Sequence, residues 1–168
     1  MDPFQKHYDR VLRFLSFRPR SEKEIRDYLK RPPRKRFPSK QKPIDEEVVE
    51  KIIAKLKEYK FVDDEEFTRW WIEQRTGAKP KGARVIKMEL QQKGIDREHI
   101  ERLLSTEEIK KLGNEGIRKL IEKHYPKYAN LPKQEIRQKL GQFLLRRGFD
   151  WDSVKPAIDH VTSTDGKR

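Results

Sequence analysis

Three groups of side chains in this sequence are of a kind that could do chemistry: a run of acids, four histidines and several clusters of cations. Asp63-Asp64-Glu65-Glu66 is the acidic run. Neighbouring carboxylates can hold a divalent metal for phosphodiester hydrolysis, and Asp63, Asp64 and Glu66 would be the ligands of such a nuclease. The same run precedes Phe67, Trp70 and Trp71, so it also reads as the first turn of a helix, where acids face the positive end of the helix dipole. Capping is the preferred reading. His7, His99, His124 and His160 stand alone, with no HExxH spacing and no cysteine partner. A metal needs three or four convergent ligands, so no metal site is expected. Phosphate-cradling GxxxxGK[ST] and nucleophilic GxSxG patterns are both missing from the sequence. The expectation is a chain with no catalytic residue and no cofactor, and hence not an enzyme.

The cations are more informative. Residues 30–43 contain no acid, carry Arg31, Arg34, Lys35, Arg36, Lys40 and Lys42, and hold prolines that forbid a continuous helix. They read as an exposed cationic loop with Phe37 embedded in it, suited to phosphate contact. Lys79, Lys81 and Arg84 precede and open one helix, and Arg146 and Arg147 close another. Complementing a helix dipole and contacting phosphate are both open for the last pair. Trp70 and Trp71 point about 100° apart around one helix, and one of them is expected to bridge the first and second helical units.

The whole composition agrees with a polyanion partner. The chain has 168 residues, a formal net charge of +13 and a hydrophobic share of only 33% against 41% charged. So thin an apolar share suits small helical units in series better than one large core. The charge attracts nucleic acid and disfavours self-association, so a monomer is expected. No run approaches the roughly 20 apolar residues of a membrane span, and Met1–Arg18 has no signal-peptide core. Cysteine is absent, which excludes disulfides and thiolate sites and fits a reducing cytoplasm.

The elements that would position these cations repeat. Ile44-Asp45, Ile95-Asp96 and Phe149-Asp150 each open a helix, with apolar residues four, seven and eight places after the Asp: Val49, Ile52, Ile53; Ile100, Leu103, Leu104; Val154, Ala157, Ile158. Leu90-x3-Gly94-Ile95-Asp96 and Leu144-x3-Gly148-Phe149-Asp150 match, each Gly ending one helix so that the next can start. Two helices precede each Asp: Tyr8 to Phe17 and Ser21 to Lys30, with a Ser21-x-x-Glu24 capping box; Asp63 to Arg75 and Gly82 to Lys93; Glu115 to Tyr125 and Lys133 to Arg147. No stretch alternates with period two. The expected fold is all-α: three tandem three-helix repeats forming an elongated, curved array, over 1–61 (with the basic insertion 31–43), 62–105 and 106–162, followed by a disordered tail, 163–168.

Residues in this order resemble the bacterial RecX regulators of RecA recombinase. The resemblance rests on Arg18-Pro19-Arg20-Ser21-Glu22-Lys23-Glu24-Ile25 with Leu29; Phe61-Val62-Asp63-Asp64 with Phe67, Trp70 and Arg75; Lys81-Gly82 leading to Glu89-Leu90 and Lys93-Gly94-Ile95; and Leu144-x-Arg146-Arg147-Gly148-Phe149. It implies a regulator that lies in the groove of RecA filaments on single-stranded DNA and modulates, in the inhibitory direction, their assembly, ATP hydrolysis and strand exchange. It thereby implies a place in DNA repair, homologous recombination and the SOS response. One departure is the long Arg31 to Pro43 segment, where similar chains pass through a short Lys-Gly turn. The alternatives are a general basic protein binding single- or double-stranded DNA without a recombinase, and a helix-turn-helix repressor using the helix from Gly82. For the latter no dimerising element is visible.

Overall fold

The helices start where a side chain can accept the unpaired amide hydrogens of a first turn. The computed structural model describes residues 2–31 and 44–164, and among these there are nine α-helices, one short 3-10 turn and no strand. They are α1 (Pro3–Leu15), α2 (Glu22–Lys30), α3 (Glu46–Glu58), α4 (Asp64–Thr76), α5 (Ala83–Gln92), α6 (Arg97–Leu104), α7 (Glu107–His124), α8 (Lys133–Arg146) and α9 (Trp151–Thr164), with the 3-10 turn at Tyr125–Lys127. The cationic loop from residue 32 to 43 and the tail beyond Thr164 lie outside the described residues.

Each aspartate singled out by the repeat does cap its helix. Asp45 accepts from the Glu47 amide, Asp96 from Glu98 and His99, and Asp150 from Ser153. The Ser21/Glu24 capping box is complete in both directions. Two helices begin earlier than their apolar stripes suggest. Asp2 caps α1 and Pro3 occupies its first turn, so the helix opens five residues before Tyr8. It closes at Leu15, which leaves Phe17 outside it. Helix α7 opens at Glu107 and runs through Gly113 and Gly116. At Gly116 a Cβ would lie 2.8 Å from the Pro80 ring, so the missing side chain is what lets that proline pack there.

The chain divides into two compact units, Met1–Trp70 with Lys93–Ile95, and Trp71–Gln92 with Asp96–Arg168. In unit 1, α1, α2 and α3 enclose Val11, Ile25, Val49, Ile52 and Leu56, all fully out of water, with Tyr8, Leu29, Ile53 and Val62 beside them. In unit 2, α7, α8 and α9 enclose Ile117, Leu120, Ile121, Ile136, Leu140, Leu144, Phe149, Val154 and Ile158. Burial of these stripes supplies the driving force, at roughly 1.5–3 kcal/mol for each large aliphatic side chain.

One joint occurs twice, once in each unit. Gly94 (φ 81°) and Gly148 (φ 90°) adopt the left-handed conformation that ends a helix. In both cases the carbonyl just before the glycine accepts a hydrogen bond from the start of an earlier helix. The Ser21 hydroxyl donates to the Lys93 carbonyl at 2.7 Å, and the Gly82 amide donates to the Arg147 carbonyl at 2.9 Å. Ser21 is completely buried, and this bond satisfies it. The second joint also has Arg84 N–H donating to the Gly148 carbonyl at 3.2 Å. Its backbones meet so closely that a Cβ on Gly82 would lie 2.1 Å from the Gly148 carbonyl carbon, and one on Gly148 2.5 Å from Val85.

The end of α3 uses the same left-handed turn without a glycine. Lys60 has φ 55°, and the Phe61 amide reaches back to the Leu56 carbonyl at 2.8 Å. A β-carbon in this region costs about 1–2 kcal/mol. Two outcomes follow for the denaturation midpoint of the purified chain. Gly82→Ala is expected to destabilise by about 3 kcal/mol, because backbone rather than a flexible side chain must give way. Lys60→Gly is expected to stabilise by about 1 kcal/mol, the relieved strain exceeding the added freedom of the unfolded chain.

Candidate nucleic-acid interface

The Gly82–Gly148 joint gathers two basic clusters that lie more than sixty residues apart in sequence. Lys79, Lys81 and Arg84 surround Gly82, while Arg146 and Arg147 precede Gly148. Backbone hydrogen bonds between the two segments therefore put all five cations on one part of unit 2.

How each cation is held differs, and that decides how much charge is left for a partner. Arg84 is exposed and donates through Nη2 to the Leu145 carbonyl at 2.9 Å, at the end of α8. Arg147 donates through Nη1 to the Pro80 carbonyl at 3.2 Å, and its guanidinium lies 5.3 Å from the centre of the Phe143 ring. Neutral carbonyls orient these groups without cancelling their charge. Lys79 and Arg146 are exposed and meet no carboxylate within ion-pair distance among the described residues. Lys81 is different: its ammonium sits 2.5 Å from Glu89 Oε1.

Glu89 is the anchor of this surface. Its other oxygen accepts from Arg75 Nε at 2.6 Å and from Trp71 Nε1 at 3.0 Å, and the Arg75 guanidinium stacks 4.1 Å from the centre of the Trp71 ring. Trp71, Arg75 and Glu89 thus form a support that fixes Lys81. Glu24 plays the matching part in unit 1, where it pairs with Arg18 at 2.7 Å and with Lys93 at 2.7 Å. The sequence reading has a tryptophan bridge the first and second three-helix repeats. Trp70, from the second repeat, has the guanidinium of Arg18, from the first, 5.8 Å from its ring centre, while Trp71 bonds to Glu89 within the second. The acid-centred hubs left little trace in the sequence, because nothing local marks a glutamate on α5 as the partner of a lysine eight residues earlier.

The remaining candidates sit elsewhere. Arg31 is exposed in unit 1, and its carbonyl accepts from Arg10 Nη2 at 3.4 Å. Arg34, Lys35, Arg36, Lys40 and Lys42 lie outside the described residues. The acidic run is occupied by backbone donors. Asp63 Oδ1 accepts from the Glu65 and Glu66 amides at 2.8 and 3.1 Å, and Asp64 Oδ1 accepts from the Glu22 amide at 2.9 Å. Among the described residues no three His, Asp or Glu side chains converge as metal ligands, and no helix is long and apolar enough to cross a membrane.

The hub has a titration signature. Burial alone would raise the Glu89 carboxyl, but the hydrogen bonds from Lys81, Arg75 and Trp71 outweigh it and hold the group below the ordinary glutamate range. The Glu24 carboxyl is lowered in the same way, with Arg18 and Lys93 overcoming burial. A lowered folded-state value means the stabilisation is fully present above the unfolded value of about 4.3 and is lost as pH falls through the folded one. Urea midpoints measured between about pH 6 and about pH 3 should therefore fall less steeply for Glu89→Gln than for the parent chain. Parallel curves would mean that Glu89 carries no such linkage.

Comparison with known proteins places this architecture. The models of the second, third and first three-helix domains of RecX match residues 63–104, 114–158 and 8–31. The regulatory protein RecX of Oceanobacillus iheyensis is 31% identical over 164 residues, covering 98% of this chain and 56% of that protein. That of Bacillus subtilis is 32% identical over 160 residues, covering 95% of this chain and 56% of that protein. The chain thus spans about half the length of the curated relatives it matches. Among solved structures, RecX from Lactobacillus salivarius superposes with a TM-score of 0.77 at 28% identity, covering 94% of this chain and 95% of that one. A second crystal structure of regulatory protein RecX gives 0.72 at 30% identity, covering 93% of this chain and 73% of that one. With its three domain matches in order along a run of helices, the chain belongs to the RecX family of regulatory proteins.

Proposed function

We propose that this chain regulates RecA recombinase by binding, as a monomer in the cytoplasm, in the groove of RecA filaments on single-stranded DNA and restraining filament assembly, ATP hydrolysis and strand exchange. Membership of a family of regulatory proteins supports the regulatory role. The observation that carries the DNA-facing part is the joint at Gly82 and Gly148. It concentrates Lys79, Lys81, Arg84, Arg146 and Arg147 and orients two of the arginines by carbonyls, so their charge stays available to phosphates. Arg31 and the basic residues from Arg34 to Lys42, which follow α2 in the sequence, add further cations for phosphate contact. Several weak contacts joined in one chain reinforce each other through effective concentration.

The same cations would attract any nucleic acid, so a general DNA-binding protein with no recombinase partner is the rival reading. The two separate in one assay. RecA ATP hydrolysis on single-stranded DNA should fall when the chain is added at stoichiometric amounts, and the chain should bind RecA-coated DNA more tightly than bare DNA. The double variant Lys79→Ala/Arg146→Ala should inhibit less, and its log affinity against log salt should be shallower by roughly two contacts. Unchanged hydrolysis with filaments verified in the sample, together with equal affinity for bare and coated DNA, would favour the rival.

A further inference from the structure

Within unit 1 the exposed large apolar side chains gather in one place. Phe17 is 82% exposed, Tyr59 58% and Phe61 52%. Such residues rarely collect on a surface that has no partner. Phe17 and Phe61 line one open cleft of about 370 Å³ together with Arg18, Arg20 and Lys60. Tyr59 backs Phe61, with ring centres 6.3 Å apart and planes inclined by 29°. The aromatic surface is therefore already assembled, within the spacing at which rings stack.

The cations of the cleft are not equivalent. Arg18 is committed to Glu24. Arg20 and Lys60 meet no carboxylate within 4 Å among the described residues. Arg20 stacks 3.8 Å from the centre of the Phe14 ring, and its Nε is buried without a hydrogen-bond partner. Lys60 holds the left-handed turn that Gly94 and Gly148 occupy elsewhere, so the chain tolerates strain at a place where a glycine would relieve it. Both acids of the cleft, Asp63 and Glu66, are exposed; Asp63 is engaged in capping α4, while the Glu66 carboxylate pairs with no cation among the described residues.

We propose that this cleft is a stacking site for the bases of single-stranded nucleic acid, with Phe17 and Phe61 presenting ring faces and Lys60 and Arg20 meeting the adjoining phosphates. Alternating aromatic faces and cations are the chemistry that unpaired bases on a charged backbone require. Paired bases in a duplex keep their faces covered, which excludes double-stranded nucleic acid from this site. The site rests on the nucleic-acid part of the functional reading above and not on the recombinase.

The test uses the full chain, a fluorescent oligothymidine, and an abasic oligomer of the same length that offers phosphates without bases. Phe17→Ala and Phe61→Ala should each weaken oligothymidine binding roughly tenfold while leaving abasic binding and the salt slope unchanged. Phe17→Tyr should restore affinity, Glu66→Gln should strengthen binding to both oligomers, and 5-iodouracil in the oligomer should crosslink to Phe17 or Phe61. Far-ultraviolet dichroism identical to the parent's would verify that these surface variants fold. Alanine variants that bind oligothymidine as the parent does would overturn the site, as would equal losses on both oligomers. Variants with normal oligothymidine binding but a lost effect on RecA would make the rings a protein contact and overturn it as well. Tenfold losses in a chain that leaves RecA unaffected would support the cleft and sink the filament reading instead.

Discussion

A single hydrogen-bonded joint organises this protein: the carbonyl that precedes a left-handed glycine is taken up by the start of an earlier helix. Every α-helix leaves carbonyls unpaired at its end and amides unpaired at its beginning. At Gly82–Arg147 an amide at the start of one helix meets a carbonyl at the end of another, and at Ser21–Lys93 the end carbonyl is taken up instead by the Ser21 hydroxyl. The second joint needs residues without side chains where the backbones meet, and Gly82 and Gly148 face each other there at a separation no β-carbon permits. It also explains how a chain with so small an apolar share stays folded, since backbone groups share with the cores the task of fixing one helix against the next.

The joint has an electrostatic consequence. A cation at the end of a helix is favoured by the helix dipole, and Lys93 and Arg147 both sit just before the glycine. Each turn therefore carries positive charge to the beginning of another helix, where Arg18 or Lys81 and Arg84 already stand. In unit 1 the carboxylate of Glu24 absorbs that charge by pairing with both Arg18 and Lys93. In unit 2 Glu89 takes only Lys81 and Arg75, and the arginines at 84 and 147 are left with carbonyls. The second joint consequently keeps a field that the first has largely neutralised.

Much of the fold could be read in the residues, and the reasons are local. Asp45, Asp96 and Asp150 cap helices because a short carboxylate at that position reaches the first-turn amides whatever the rest of the chain does. Gly94 and Gly148 mark helix ends for an equally local reason. The extents of α1 and α7 were less legible: Asp2-Pro3 begins a helix ahead of its apolar stripe, and Gly113 sits inside α7 although it resembles a break. Of the candidate surface, the sequence supplies the cations but not their grouping. Lys79 and Arg146 are brought to one area by backbone contacts across the fold, and no spacing rule encodes those. The Phe17–Phe61 cleft was hidden for a related reason, since Phe17 looks like the last apolar residue of α1 until the helix is seen to close at Leu15.

The central claim is that the Gly82–Gly148 joint builds the surface that meets the nucleoprotein filament. Electron cryomicroscopy of RecA filaments on single-stranded DNA, saturated with this chain, tests it most directly. The account requires density along the filament groove, with the start of α5 and the end of α8 turned toward the phosphates. Density confined to filament ends, or a bound chain whose Lys79 and Arg146 point to solvent, would contradict it.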